Sequence, residues 1–384
     1  MTRSHRNNFT VIIQGPLTSV GTTFGNFHLP VTSRQVINFD CEKTILNNVR
    51  KINSCGAQVI ICLWSSEDVV RIRRIRTQNP RAKVIVLEAP DTPTAPISDT
   101  SKFLQFYSTL HGLQAAEKMG FRFAFKIRTD QEIDLQSIFD LTEEIQAKSL
   151  DKKFIVVPFM QKTDPFFFLD FYFGGRVDTM LQFCSLFLSR GQMSLYPNVH
   201  QDAFLKLALT LLPEFDTKLP VAMFSDVRPP FLEIHADIAI RLWTNCLIPG
   251  TRKAYISLLW RGRGPDMEID YGGYQNLIFA DTSMTPETDA SAGYFVREWV
   301  GRQPRLKRRP RWFSGEVCWY RFLTAKWGYW PGLVAGGLLD APFALRMFVH
   351  RTFLKPTENN SQRQKWIAGK RVSFRKYFSS RSAK

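Results

Sequence analysis

At 384 residues, 44% of them hydrophobic, the chain is too long for one small domain and long enough for a large α/β domain with an appendage. Its net charge of +17 is lopsided: residues 302–384 hold 19 Lys+Arg against 3 Asp+Glu, which leaves residues 1–301 close to neutral. That tail attracts anionic polymers or lipid headgroups. With the excess of cations outside the larger part and no recognised nucleic-acid motif, no nucleic-acid partner is expected. The six cysteines (Cys41, Cys55, Cys62, Cys184, Cys246 and Cys318) show no C-x-x-C spacing, as expected of scattered reduced thiols in a cytosolic protein. Residues 1–8 are polar, with no apolar h-region, so no signal peptide is expected.

In chain order, Phe9–Ile13 reads as a strand ending in the turn Gln14-Gly15-Pro16. A Gly/Thr-rich loop follows, then a helix over Thr44–Ile52. Gln58–Trp64 is a nearly continuous apolar strand, Glu67–Thr77 a basic helix closed by Asn79-Pro80, and Lys83–Leu87 a third strand. After a Pro/Thr/Ser loop, a helix begins near Ser101 with Phe103, Phe106, Tyr107, Leu110 and Leu113 on one face, and Gly120 closes it. Phe121–Ile127 is a fourth strand, ending in Arg128-Thr129-Asp130. A helix with Leu135, Ile138, Phe139, Thr142 and Ile145 on one side comes next. Phe154–Pro158 is a fifth apolar run, and Asn198–Leu212 a further helix.

Strands buried on both faces and separated by helices predict an α/β fold: a mostly parallel sheet with helices on both faces. Ligands bind such sheets beyond the carboxyl ends of the strands. That rule selects Gln14-Gly15-Pro16, Trp64-Ser65-Ser66, Ala89-Pro90-Asp91 and Arg128-Thr129-Asp130. The expected boundaries are a main domain over 1–250, an extension completing it over 251–301, a basic aromatic helical appendage over 302–356 and a disordered basic tail over 357–384.

Several segments carry a resemblance. VIIQGPL (Val11–Leu17), VIICLWSS (Val59–Ser66), the stretch Ser101–Asp130 and DFYFGG (Asp170–Gly175) together resemble the WavE family of lipopolysaccharide-synthesis glycosyltransferases. The shared pattern is a Q-G-P loop, a helix bearing Gln105, Ser108 and Gly112-Leu113, a strand ending Lys126-Ile127-Arg128-Thr129-Asp130, and an Asp-aromatic-Gly element. It covers about the first 210 residues. It implies a GT-A-like, Rossmann-related fold, a nucleotide-sugar donor and a glycolipid or oligosaccharide acceptor of the lipopolysaccharide or surface-polysaccharide kind. It also implies work on the cytoplasmic face of the cytoplasmic membrane. The usual D-x-D is replaced by Asp130-Gln131-Glu132, whose longer second side chain leaves dependence on Mn²⁺ or Mg²⁺ open.

Glycosyl transfer needs the leaving diphosphate neutralised, the acceptor hydroxyl deprotonated and the cationic centre held in place. Asp130 is expected as metal or sugar ligand with Glu132 beside it, against a helix cap; Asp134 fits the cap better. Lys126 and Arg128 share a strand face and bind either diphosphate or core carboxylates. Gln14, Gly15, Pro16 and Gln105 are expected at the nucleotide through the resemblance. Asp91 offers a ribose or metal ligand against an ordinary turn residue, and Trp64 a base-stacking platform against a core tryptophan. Asp170 fits an acceptor ligand or a loop cap. Asp202 and His200 are alternative general bases, Asp202 being equally suited to a helix first turn. The reading requires Gln14 and Asp130 to line one crevice.

No P-loop and no G-x-S-x-G elbow occur, which disfavours kinases and serine hydrolases. Gly328–Val349 is apolar but broken by Pro331, Pro342 and four glycines, so it reads as an interfacial anchor for an anionic membrane, against a subdomain packed on the core. The runner-up to an enzyme is a non-catalytic nucleotide-sugar or glycan-binding protein with a degenerate site.

Overall fold

The computed structural model describes residues 8–26, 33–90, 100–148, 153–161, 168–188, 199–212, 241–271, 273–274 and 277–281. The chain divides into two units, Met1–Arg308 and Arg309–Lys384, and every described residue belongs to the first. Asp91, the appendage over 302–356 and the tail over 357–384 lie outside the described residues.

The elements are β1 (Phe9–Gln14), β2 (Thr18–Gly21), β3 (Ile37–Asp40), α1 (Glu42–Ser54), β4 (Gln58–Trp64), α2 (Val69–Gln78), β5 (Lys83–Leu87), α3 (Thr100–Lys118), β6 (Phe123–Arg128), β7 (Gln131–Glu132) and α4 (Gln136–Lys148). There follow β8 (Ile155–Val157), β9 (Met160–Gln161), β10 (Phe173–Arg176), α5 (Val177–Leu188), α6 (Val199–Leu211), β11 (Leu247–Pro249), α7 (Arg252–Ile256), β12 (Leu259–Trp260), α8 (Met267–Tyr271) and β13 (Leu277–Ile278). The seven-stranded sheet runs β11-β8-β10-β6-β1-β4-β5. Its pairs are parallel except around β10, which runs antiparallel to both β6 and β8.

Alternation along the strands sends side chains into two cores. Val11, Ile13, Val59, Ile61, Phe125 and Ile127 pack with Ile45, Val49 and Ile52 of α1, Ile72 of α2, and Ile138 and Phe139 of α4. Ile12, Ile60, Cys62 and Ala124 pack with Phe106, Leu113 and Ala116 of α3 and with Met180 and Phe183 of α5. Helices therefore cover both faces, as the uninterrupted apolar strands predict. Most of the described phenylalanines serve the core: Phe106 stacks on Phe187 at 3.8 Å between centroids, and Phe9 stacks on Phe123 at 5.1 Å.

Helix α3 departs from its expected amphipathic form. Phe106 and Leu113 are buried, but Phe103, Tyr107 and Leu110 are only half-buried. The buried stripe runs instead through Gln105, Ser108, Thr109, Gly112 and Ala116. Gly112 lies so close to the sheet that a Cβ there would sit 2.5 Å from Ile12 Cγ2 and 3.2 Å from Cys62 Sγ.

Three two-stranded ribbons were hidden from pattern reading. The Gly/Thr-rich loop contains β2 and β3, paired antiparallel with Thr18 opposite Asp40 and Val20 opposite Asn38. Strand β12 pairs with β7, joining Trp260 to Gln131 and Leu259 to Glu132, and β13 pairs with β9. Residues 251–281 contribute Ala254, Tyr255, Leu258, Met267, Leu277 and Phe279 to the α1 side of the core. Among the described residues no helix is long and apolar enough to cross a membrane.

Candidate functional site

The chain steps from β1 to β4 to β5, then returns to place β6 on the other side of β1. The carboxyl ends of β1 and β6 therefore flank a topological switch point, the position where open α/β sheets bind ligands. Gln14 and Arg128 are register partners there. Thr129 N donates to Gln14 O at 3.0 Å, and Thr129 Oγ1 donates to Pro16 O at 2.7 Å. Gly15 holds φ 134°, and a Cβ on it would meet Thr129 Oγ1 at 2.6 Å. The Q-G-P loop and the R-T-D strand end, far apart in sequence, are thus one stitched unit.

Asp130 is the hub of this edge and is 2% exposed. Arg128 clamps it bidentately, with Nε to Oδ1 at 2.9 Å and a terminal nitrogen to Oδ2 at 2.8 Å. Ser19 Oγ donates to Oδ2 at 2.8 Å and Trp260 Nε1 donates at 3.2 Å; Arg261 Nε is 3.1 Å from the same oxygen. Burial would push the Asp130 carboxyl up, but Arg128 and Arg261 outweigh it and hold it below the usual carboxylate range. Arg261 also donates from its backbone N to Asp130 O at 2.8 Å, from its guanidinium to Ser19 Oγ, and to Thr22 O. Its φ of 50° is the only positive value at a non-glycine among the described residues. Gly21 makes room for it, since a Cβ there would run into the guanidinium.

This geometry corrects the expected pairing of Asp130 with Glu132 on a metal. Asp130 spends its lone pairs on protein donors, and Glu132 turns to α1, where Lys51 sits 2.8 Å from Oε1 and Asn47 donates to Oε2 at 3.1 Å. Among the described residues no three His, Cys, Asp or Glu side chains are grouped to hold a metal ion. Asp130 and Glu132 themselves turn to different partners and share no cation position. The single crevice lined by Gln14 and Asp130 is corrected too. Gln14 is 3% exposed and accepts from Ser108 Oγ of α3 at 2.9 Å, whereas Asp130 is gripped by β2 and the 260–261 turn. The two end at one sheet edge but engage different layers. Between them the Arg128 side chain remains 24% exposed.

A second hydrogen-bonded group joins the remaining motif residues. Gln105 Nε2 donates to Asp170 Oδ2 at 3.1 Å, and Lys126 Nζ donates to Asp170 O at 2.6 Å. Lys126 is fully buried, with its ammonium 5.2 Å from the Phe173 ring centroid. Burial, reinforced by the neighbouring Arg128 charge and opposed by Asp170, draws its pKa down to about 7. Arg128 keeps its charge because Asp130 and Asp170 outweigh burial. So the two cations on β6 differ: Arg128 carries a carboxylate at the edge, and Lys126 holds a loop backbone beneath it.

Trp64 ends β4 half-buried, nearly parallel to Tyr107 of α3 with ring centroids 6.4 Å apart. Asp134 accepts from Gln136 N at 3.0 Å at the start of α4, the cap role expected of it. His200 and Asp202 fall in the first turn of α6, and their side chains lie outside the described residues. The residues that pattern reading missed are Ser19, Trp260 and Arg261. The mark of Trp260 and Arg261 in the sequence is the charged, glycine-bearing run Trp260-Arg261-Gly262-Arg263-Gly264, and Ser19 carries none.

No family model matches the chain. No curated protein matches it either. The resemblance to the WavE family therefore rests on the motifs alone. The solved structures that the chain matches include a cytidylyltransferase from Leptospira borgpetersenii (14% identity, 46% of this chain, TM-score 0.28). A candidate nucleotide-diphospho-sugar transferase from Desulfovibrio desulfuricans shares 11% identity over 53% of this chain and 77% of its own, with TM-score 0.32. HddC from Yersinia pseudotuberculosis shares 11% over 45% of this chain and 78% of its own, with TM-score 0.28. The chain spans 64% of the length of the cytidylyltransferase it matches. At these TM-scores the likenesses carry no argument, and the fold class stands on the sheet described above.

Proposed function

We propose that the protein is a glycosyltransferase that takes a sugar from a nucleotide-diphosphate donor, bound across the carboxyl ends of β1 and β6, to a surface-glycan or glycolipid acceptor. The observation that carries this reading is Arg128. Its side chain is part-exposed and its guanidinium is fixed by Asp130 at the switch point of a parallel sheet. A planar cation held in one orientation suits a diphosphate leaving group, and whether Mn²⁺ or Mg²⁺ shares that work stays open. In the reaction the bond from the anomeric carbon to the phosphate oxygen breaks and its electron pair stays on the diphosphate. The acceptor hydroxyl oxygen bonds to the anomeric carbon, and its proton passes to a base. Asp170, with Gln105 on its carboxylate, is our proposed contact to the acceptor, and Asp202 or His200 the base. Lipopolysaccharide synthesis as the setting, and work at the cytoplasmic face of the membrane, are proposals from the motif resemblance.

The test is thermal shift and calorimetry across UDP-, GDP-, dTDP- and CMP-sugars, with the wild type beside Arg128→Lys. Lysine keeps the charge but loses the bidentate clamp, so about tenfold weaker donor binding is expected, the scale of one charge-assisted hydrogen bond. A wild type unmoved by every nucleotide sugar, or equal affinity in the variant, overturns the reading. A second reading, a nucleotide-sugar-binding protein without turnover, is favoured by Asp130 being fully engaged by its neighbours. Donor binding without donor hydrolysis or transfer would select it.

A further inference from the structure

Strand β6 breaks its apolar pattern at one inner position. In its sequence FAFKIR, Lys126 stands among buried residues and is itself 0% exposed. Its register partners are Ile12 of β1 and Phe173 of β10, which enter the core beneath α3 and α5 together with Ala124. An ammonium carries three donors. Among the described residues Lys126 Nζ reaches one hydrogen-bond acceptor, Asp170 O at 2.6 Å, and it otherwise lies over the Phe173 ring. A buried cation with so few partners opposes folding, and an apolar side chain of similar length would fill the same place without that penalty.

The penalty falls where the site is built. Strand β10 runs antiparallel to β6 with Phe173 opposite Lys126, so the chain just ahead of Phe173 lies along the carboxyl end of β6. Asp170 is in that stretch and is held twice. Lys126 donates to its carbonyl oxygen, and Gln105 of α3 donates to its carboxylate at 3.1 Å. Against burial, Asp130 and then Asp170 sustain the Arg128 charge, so the Asp170 carboxylate stands within electrostatic reach of that guanidinium. Positions that break a local rule of the fold without gaining stability mark functional sites.

We propose that Lys126 is a positioning residue: its buried Nζ fixes the main chain at Asp170, which sets the Asp170 carboxylate near Arg128 to meet the acceptor, and it does so against folding stability. The acceptor clause rests on the function proposed above; the hold on Asp170 does not. The charged and titratable groups facing Lys126 among the described residues are Asp170, Arg128, Asp130 and, from α5, Cys184, while β1 presents Ile12, β10 Phe173 and α3 the uncharged Gln105. Burial draws the Lys126 pKa from 10.5 to about 7. Between those values the unfolded chain keeps a proton that the folded chain gives up, so this group's opposition to folding is full at and below about pH 7 and fades as the pH rises towards 10.5.

Lys126→Met in the full chain tests it, by denaturant unfolding at about pH 7 and about pH 10 and by amide exchange. The variant is expected to unfold at a higher denaturant midpoint than the wild type at about pH 7 and to lose that lead towards pH 10. At the same time exchange over residues 169–173 should quicken at least about tenfold, the scale of one charge-assisted hydrogen bond, with no change over residues 9–14. A lysine that merely supports the fold behaves oppositely, since its removal lowers the midpoint. A variant that fails to fold, a midpoint no higher than wild type at about pH 7, a lead that does not shrink with pH, or unchanged exchange over 169–173 each overturns the proposal. Thermal shifts with UDP-, GDP-, dTDP- and CMP-sugars on both proteins keep the two readings apart. The same shift in both is expected, because Arg128 and Asp130 are intact in the variant. No shift in either overturns the donor site and with it the acceptor clause, and a shift lost only in the variant overturns the assignment of Lys126 to the acceptor side.

Discussion

Asp130 shows how little a residue's type and position say about its job. At the end of a parallel strand it reads as a ligand group, yet its oxygens are spent on Arg128, Arg261, Ser19 and Trp260. A buried carboxylate with two guanidinium partners is dangerous to neutralise, because the partners remain buried and charged. Asp130→Asn is therefore expected to cost about 3–5 kcal/mol in denaturant unfolding. Combining it with Arg261→Met should cost less than the two single changes added, since the pair is then removed together. An Asp130→Asn protein as stable as wild type would return Asp130 to the role of ligand. Arg128 was legible as a charged strand end. Arg261 was not, because nothing in a turn of arginines and glycines says which one folds back to Asp130.

Among the elements, α3 carries the clearest lesson. Its apolar periodicity is real, but the stripe facing the sheet is small and polar: Gln105 reaches Asp170, Ser108 reaches Gln14, and Gly112 admits Ile12. In a helix, Gly→Ala normally gains up to about 1 kcal/mol. At position 112 the added methyl would stand 2.5 Å from a branched core side chain, and overpacking of that kind costs about 1–3 kcal/mol. Gly112→Ala is therefore expected to destabilise, read as a lower denaturant midpoint; a rise would mean that α3 shifts freely on β1. The strands β4 and β5 match their apolar runs residue for residue: β4 is buried on both faces, and β5, at the sheet's edge and only partly buried, keeps a contiguous β-branched run that needs no partner to be read. The ribbons of two to four residues leave none, because each half gains its order only from the other.

Over the whole first unit, residues 251–281 are woven into the early half. Strand β12 pairs with β7, Tyr255 stands within 6.5 Å of Phe24 and Phe171 between ring centroids, and Arg261 bonds Ser19. A chain ending at Gly250 is expected to lose its cooperative thermal transition, because Asp130 keeps only one of its arginines and the α1-side core is opened. A sharp, wild-type-like melt of that chain would show these contacts to be superficial.

From composition and periodicity alone come the parallel core strands, the helices on both faces and the basic tail, because long apolar runs and charge bias are properties of contiguous residues. The Gly15, Thr129 and Pro16 neighbours were marked as separate motifs in the same way. Folding settled which of them meet, that β10 enters antiparallel, that Asp130 is a counterion hub and that Lys126 ends on a loop carbonyl. Those outcomes depend on contacts between segments up to 242 residues apart, such as Arg261 with Ser19, and no local pattern encodes a partner at that distance.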